Sequence, residues 1–123
     1  MTNASTVLPL ETESAGLACD LDALSPAQRE QQAATFEAVR QLVVSVEELP
    51  NGWALKLPTT NDTLQLVAAF IANERLCCPF FDFTLQVTPD AGPTWLRLTG
   101  QPGVKEFLAG AFADQATAAN PQC

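Results

Sequence analysis

A pair of adjacent cysteines followed by proline marks the point where one element of this chain ends and another begins. The segment Cys77-Cys78-Pro79 follows residues with helical periodicity and precedes residues that alternate between apolar and polar. Proline cannot continue a helix, and it disfavours the helical conformation of the residue before it. Neighbouring Cα atoms lie about 3.8 Å apart, below the usual disulfide range of about 4.4–6.8 Å. We therefore predict that the two cysteines do not bridge each other and that at least one thiol reaches a surface or cleft.

Three segments have the spacing of helices. Ser25-Pro26-Ala27-Gln28 combines an N-cap, a proline at the first helical position and a capping-box glutamine, which predicts a helix over residues 25–42. Capped by Thr60 or Asn61, a second helix is expected over residues 62–76, and a third over residues 104–112. The apolar positions expected to face the core are Ala33, Phe36, Val39 and Val43 in the first helix and Leu64, Val67, Ala68 and Ile71 in the second.

Between the helices the sequence predicts two β-hairpins. Residues 43–49 and 53–57 are separated by the turn Pro50-Asn51-Gly52, and residues 81–88 and 95–99 are separated by a second turn rich in proline and glycine. The element order is therefore α-β-β-α-β-β-α.

This order predicts an α+β fold with a four-stranded antiparallel sheet and the helices packed on one face. The other face is expected to be polar or to pair with a second subunit. Leu55-Lys56-Leu57 and Leu96-Arg97-Leu98 each end a second strand before a helix, which suggests a ββα internal duplication. A chain of 123 residues is large enough for one domain, placed at residues 18–112, with flexible tails at residues 1–17 and 113–123.

Composition excludes several classes of function. Six Lys and Arg against 14 Asp and Glu give a formal net charge of −8, which disfavours nucleic acid and anionic membrane surfaces as partners. The chain contains no histidine and no tyrosine, so it lacks Ser-His-Asp catalysis and imidazole metal ligands. No apolar run reaches membrane-spanning length, and residues 1–16 lack the pattern of a signal peptide. These features predict a cytoplasmic protein whose thiols are reduced.

The cysteines are the remaining candidates for chemistry. Cys77 and Cys78, joined by Cys19, are predicted to bind a soft metal or metalloid ion such as Cu(I), Zn(II), Hg(II) or As(III), because thiolates select thiophilic ions. Glu74 and Arg75 precede the pair, either as an exposed pair of opposite charges or as partners of the ligands. Ion binding, rather than enzymatic turnover, is the expected function.

Two further interpretations are kept. Cys19 and one member of the pair could exchange a disulfide as a thiol redox protein. Alternatively, the cysteines could pack as small hydrophobic residues in a homodimeric interaction domain, with the apolar run Phe80-Phe81-Asp82-Phe83 at its interface. Cys123, in a polar tail, is expected to lie outside any site.

Three motifs carry a resemblance to known proteins: Cys19-Asp20-Leu21, Glu74-Arg75-Leu76-Cys77-Cys78-Pro79-Phe80 and Trp95-Leu96-Arg97-Leu98-Thr99-Gly100. With them the chain resembles a group of small uncharacterised bacterial proteins that have the landmarks C-x-L, E-R-x-C-C-P-F and W-L-R-L-T-G. The resemblance covers residues 18–112 and implies a common site at the cysteine pair, without implying its chemistry.

Overall fold

The structure, a computed structural model, describes residues 19–112. The predicted flexible tails, 1–17 and 113–123, lie outside these residues, as does Cys123. No helix in the described part of the chain is long and apolar enough to cross a bilayer.

Three helices and four strands confirm the predicted order α-β-β-α-β-β-α, and each boundary lies within two residues of the prediction. Ser25 Oγ accepts a hydrogen bond from the Gln28 backbone N–H, and Gln28 Oε1 accepts one from the Ser25 backbone N–H, as the capping box predicts. A short 3-10 helix (Leu21–Ala23) precedes the first α-helix. The elements are α1 (Pro26–Leu42), β1 (Ser45–Leu49), β2 (Gly52–Leu57), α2 (Asn61–Cys77), β3 (Phe81–Val87), β4 (Thr94–Gly100) and α3 (Val104–Phe112).

The four strands form one antiparallel sheet in the order β1-β2-β4-β3. Leu55 lies opposite Leu96, and Leu98 lies opposite both Trp53 and Phe83, so these side chains share one face. The helices cover this face, which confirms the predicted α+β fold. The residues of the buried core are Val39 of α1, Val67 and Phe70 of α2, Leu55, Leu57, Leu96 and Leu98 of the sheet, and Val104, Leu108 and Ala111 of α3.

The two tryptophans lie on opposite faces of the sheet. Trp53, opposite Leu98, points toward the helices, and its Nε1–H donates a hydrogen bond to the Lys105 backbone carbonyl of α3 at 2.8 Å. Trp95, opposite Lys56, lies on the outer face, half-buried. The Trp53 hydrogen bond therefore fixes α3 against the sheet.

The buried faces of α1 and α2 differ from the predicted apolar stripes. Ala33 and Ala68, both expected in the core, are exposed, whereas Gln32 and Glu74 are buried. The reason is that these two polar side chains face each other across the helix pair and are joined by a hydrogen bond from Gln32 Nε2 to Glu74 Oε1. The buried residues are Gln32, Thr35, Val39 and Arg40 in α1 and Thr63, Val67, Phe70, Glu74 and Cys77 in α2.

Candidate functional site

The second helix ends at the cysteine pair, as predicted. Cys77 is the last residue of α2, and Cys78 is its C-cap, whose backbone N–H donates to the Glu74 carbonyl at 2.8 Å. Pro79 follows and the chain turns into β3. The helix end thus holds the two cysteines on a fixed backbone.

Both cysteines of the pair are buried, so the prediction that one thiol reaches a surface or cleft is wrong. Cys77 is 0% exposed and Cys78 is 1% exposed. They form a small cluster with Leu24, separate from the main core, and Phe80 and Phe81 pack against it. Because the turn after Pro79 brings these two phenylalanines back over the helix end, neither cysteine side chain is left at the surface.

The segment around Cys19 is bound to the same helix end. The Asp20 backbone N–H donates a hydrogen bond to the Cys77 carbonyl at 2.6 Å, which satisfies a carbonyl that has no partner within α2. Cys19, itself half-buried, forms a disulfide with Cys78, and their Cα atoms are 4.6 Å apart. The structure therefore brings all three predicted ligands together across 59 residues of sequence.

The oxidation state differs from the sequence-based expectation of reduced thiols. None of the three cysteines in residues 19–112 is a free thiol. The expectation of reduced thiols followed from the predicted compartment alone. A disulfide depends instead on which sulfur atoms the fold brings together.

Glu74 is a buried carboxyl beside the cysteines. Its side chain is 8% exposed, and its Oε1 accepts a hydrogen bond from Gln32 Nε2 at 2.8 Å. Burial raises the pKa of Glu74, and the hydrogen bond from Gln32 opposes this in part by favouring the charged carboxylate. Arg75 is exposed, whereas Glu74 is buried. The interpretation of these two residues as an exposed pair of opposite charges is therefore wrong for Glu74.

Glu74, Cys77 and Cys78 together form a group with the donor atoms of a metal site. One carboxyl oxygen and the two sulfur atoms all lie within 4.8 Å of one another. Cys77 Sγ is 4.0 Å from Glu74 Oε1 and 3.7 Å from the Glu74 backbone carbonyl oxygen. For comparison, two sulfur ligands at about 2.3 Å from a tetrahedral zinc ion are themselves about 3.8 Å apart.

Sequence reasoning missed Gln32. It is 0% exposed, and both hydrogens of its side-chain amide are used, since Nε2 also donates to the Phe70 carbonyl at 3.1 Å. The signal was spacing: positions 67, 70, 74 and 77 recur at intervals of three and four, as do positions 32, 35 and 39. The buried faces of α1 and α2 were not recognised in the sequence, because a glutamine and a glutamate interrupt their apolar patterns.

The chain matches no protein-family model, no curated protein and no solved structure. The resemblance to uncharacterised bacterial proteins therefore stays a prediction, and the arguments for function depend on the site itself.

Proposed function

We propose that the reduced chain binds a thiophilic metal or metalloid ion through the sulfur atoms of Cys77, Cys78 and Cys19, with Glu74 beside them. The observation that carries the proposal is the buried carboxyl of Glu74 within 4.8 Å of two cysteine sulfurs. Cysteines that only pack need no carboxyl beside them. A buried set of sulfur and oxygen donors at one helix end is the arrangement of a closed ion site.

The fold supports the proposal because it holds these residues in place without the disulfide. The hydrogen bond from Asp20 to Cys77 and the packing of Leu24 on the cysteine cluster anchor the Cys19 segment independently of its sulfur. Reduction therefore frees the sulfur atoms while leaving them close together. In this scheme the Cys19–Cys78 disulfide is the oxidised form, which does not bind ions.

The experiment is an ion titration of the fully reduced protein in a Cys123→Ser background, in which the three cluster cysteines are the only thiols of the chain. Thiol reactivity toward a chromogenic disulfide is measured before and after adding Cu(I), Zn(II), Hg(II) or arsenite. We expect one ion per chain to protect two or three thiols.

The single variants Cys19→Ser, Cys77→Ser and Cys78→Ser identify the ligands, and circular dichroism checks that each one folds. At least two of them should lose protection. The wild-type chain with Cys123 present is the matched comparison and should bind the same number of ions. Thiols that stay unreactive until unfolding, with no ion retained, would show that the cysteines only pack.

A second function is favoured by the Cys19–Cys78 pair itself, namely thiol-disulfide exchange. Cys19 is half-buried and Cys78 is buried, so an incoming thiolate would attack the Cys19 sulfur. The bond between the two cysteines would break, Cys78 would leave as a thiolate, and Cys19 would be held in a mixed disulfide.

Equilibration with glutathione buffers tests this second function. A reduction potential of about −180 to −270 mV would match proteins that exchange disulfides, whereas one below about −300 mV would indicate a structural bond. Alkylation of the thiols in each glutathione buffer measures the fraction of reduced protein. Cys19→Ser, which cannot form the bond, is the control.

A further inference from the structure

The surroundings of the cysteine cluster restrict the net charge of any bound complex. Cys77 and Cys78 are almost completely buried, and the side chains packed around them are Leu24, Phe80 and Phe81. A net charge in such an environment loses its hydration and is costly unless an opposite charge lies beside it. The site therefore favours an ion whose charge the bound thiolates neutralise.

Glu74 does not supply compensating positive charge. Its side chain is a carboxyl, which is either neutral or negative, and one of its oxygens lies within 4.8 Å of the two sulfurs of the cysteine pair. Arg75, the cation next to it in sequence, is exposed. Arg29 of α1 reaches the cluster, but its Nη1 donates a hydrogen bond to the Leu24 backbone carbonyl at 3.4 Å and it is outside the group formed by Glu74 and the sulfurs. Within that group, the charge of the ion is balanced by the thiolates.

Thiophilic ions differ in the net charge that their thiolate complexes carry. Three thiolates around Zn(II) leave one negative charge, and three around Cu(I) leave two. Hg(II) is neutralised by two thiolates and needs no third sulfur. A trivalent metalloid is neutralised by three thiolates, the number of cysteines that the fold brings together here.

The arrangement of the three sulfur atoms also favours a trivalent metalloid. A trivalent metalloid keeps a lone pair and takes its ligands on one side, as a pyramid. Cys19 Sγ is bonded to Cys78 Sγ, and Cys77 Sγ is within 4.8 Å of Cys78 Sγ, so the three sulfurs are drawn together at one helix end. Two-coordinate Hg(II) instead places its sulfurs on opposite sides of the ion. Cys19, the half-buried member, gives the ion access from the surface.

We propose that the reduced site takes a trivalent metalloid, As(III) or Sb(III), as a neutral three-coordinate complex with the thiolates of Cys19, Cys77 and Cys78. This rests on the proposed ion-binding function and names its ligand. For arsenite the step is As(OH)₃ + 3 RSH → As(SR)₃ + 3 H₂O. Each thiol proton joins a departing hydroxide as water, three As–O bonds are replaced by three As–S bonds, and arsenic stays trivalent.

The experiment titrates arsenite into the fully reduced Cys123→Ser protein and counts the sulfur neighbours of arsenic by X-ray absorption. We expect one arsenic per chain with three sulfurs and no oxygen. Since the step releases no net proton, affinity should change by less than about threefold between about pH 6 and about pH 8, whereas Zn(II) binding to thiols tightens as protons are lost. Cys19→Ser should lower arsenite affinity at least about tenfold, a loss of about 1.4 kcal/mol, and leave two sulfurs on arsenic.

The outcomes separate this inference from the proposed function. Two sulfurs on arsenic in the unaltered site, or an unchanged affinity in Cys19→Ser, would overturn the three-thiolate complex. Equimolar Zn(II) that displaces arsenite from the reduced protein would overturn the preference for a neutral complex and leave ion binding intact. If arsenite, Zn(II), Cu(I) and Hg(II) all fail to protect the thiols, ion binding and this inference both fall.

Discussion

The Gln32 side chain joins α1 to the carboxyl of Glu74 on α2 through a hydrogen bond of 2.8 Å from Nε2 to Oε1. The second hydrogen of the same amide goes to the Phe70 carbonyl, so one residue of α1 contacts α2 one helical turn before the cysteines. Gln32 Oε1 has no hydrogen-bond partner within the described residues. The position of the carboxyl beside Cys77 thus depends on a residue that lies more than 40 positions earlier in the sequence.

A double-mutant cycle measures this hydrogen bond. Gln32→Met and Glu74→Met keep side-chain length and remove one partner each, and the double variant removes both. Because a buried polar group without its partner loses stability that the double variant recovers, we expect a coupling free energy of about 0.5–3 kcal/mol. Chemical denaturation of the four proteins gives the value. Effects that add within about 0.5 kcal/mol would show that the two side chains do not interact.

The buried carboxyl makes stability depend on pH in a defined direction. Burial raises the pKa of Glu74 in the folded chain above that of the unfolded chain. The folded chain then holds this proton more tightly, so the contribution is largest below the unfolded pKa and is lost as pH rises through the folded pKa. We expect the free energy of unfolding of Glu74→Gln, minus that of the native chain, to increase with pH by about 1.4 kcal/mol per unit of pKa elevation.

Glu37 provides a control of opposite sign for this measurement. Hydrogen bonds from Gln41 and Arg40 lower the pKa of Glu37, so its contribution is present above the unfolded pKa and is lost as pH falls. The difference between Glu37→Gln and the native chain should therefore change with pH in the other direction. A pH dependence of the same sign in both variants would contradict the assignment to Glu74.

The Cys19–Cys78 bond should stabilise the oxidised chain. It links residues 59 positions apart, and the loss of unfolded-state entropy for a loop of this length corresponds to about 4 kcal/mol in the chain-entropy model. Because Cys77 is itself disulfide-bonded, the comparison is made in a Cys77→Ser background. There we expect the oxidised protein to be more stable than the reduced one, and the added Cys19→Ser substitution to lose most of that difference. Denaturant midpoints with and without reductant, in both proteins, provide the measurement. An unchanged difference in Cys19→Ser would mean that this bond contributes nothing.

The two tryptophans should differ in their effect on stability. Trp53→Phe removes the Nε1–H that donates to the Lys105 carbonyl and leaves the junction between α3 and the sheet less well packed. We expect a cost of about 1–3 kcal/mol. Trp95→Phe is the matched control on the outer face, where the ring stacks with the Arg97 guanidinium at 5.7 Å and the loss should be below about 1 kcal/mol. Equal losses in thermal unfolding would contradict this asymmetry.

Local signals were sufficient for the element order. The capping box at Ser25, the turn at Pro50-Asn51-Gly52 and the proline after Cys78 each act through backbone geometry within a few residues, so they could be interpreted without knowing the fold. The alternation of apolar and polar residues after Pro79 likewise indicated the strand β3. These features predicted seven elements in their observed order.

The sequence predicted only some of the residues of the site. The cysteine pair and Cys19 could be named as candidates because cysteine is chemically distinctive, but Glu74 was expected at the surface and Gln32 was not considered. A polar residue in a helix is expected to face solvent unless its partner is known, and here each of these two residues is the other's partner.

What the sequence by itself determined was the set of elements, their order and the chemistry of the candidate ligands, because these depend on residue type and local spacing. Only the tertiary structure decided which faces of α1 and α2 are buried, that Phe80 and Phe81 close over the cysteines, and that Cys19 lies against Cys78. The physical reason is that burial and sulfur pairing depend on contacts between segments that are distant in sequence. The free energy of such contacts cannot be derived from either segment alone.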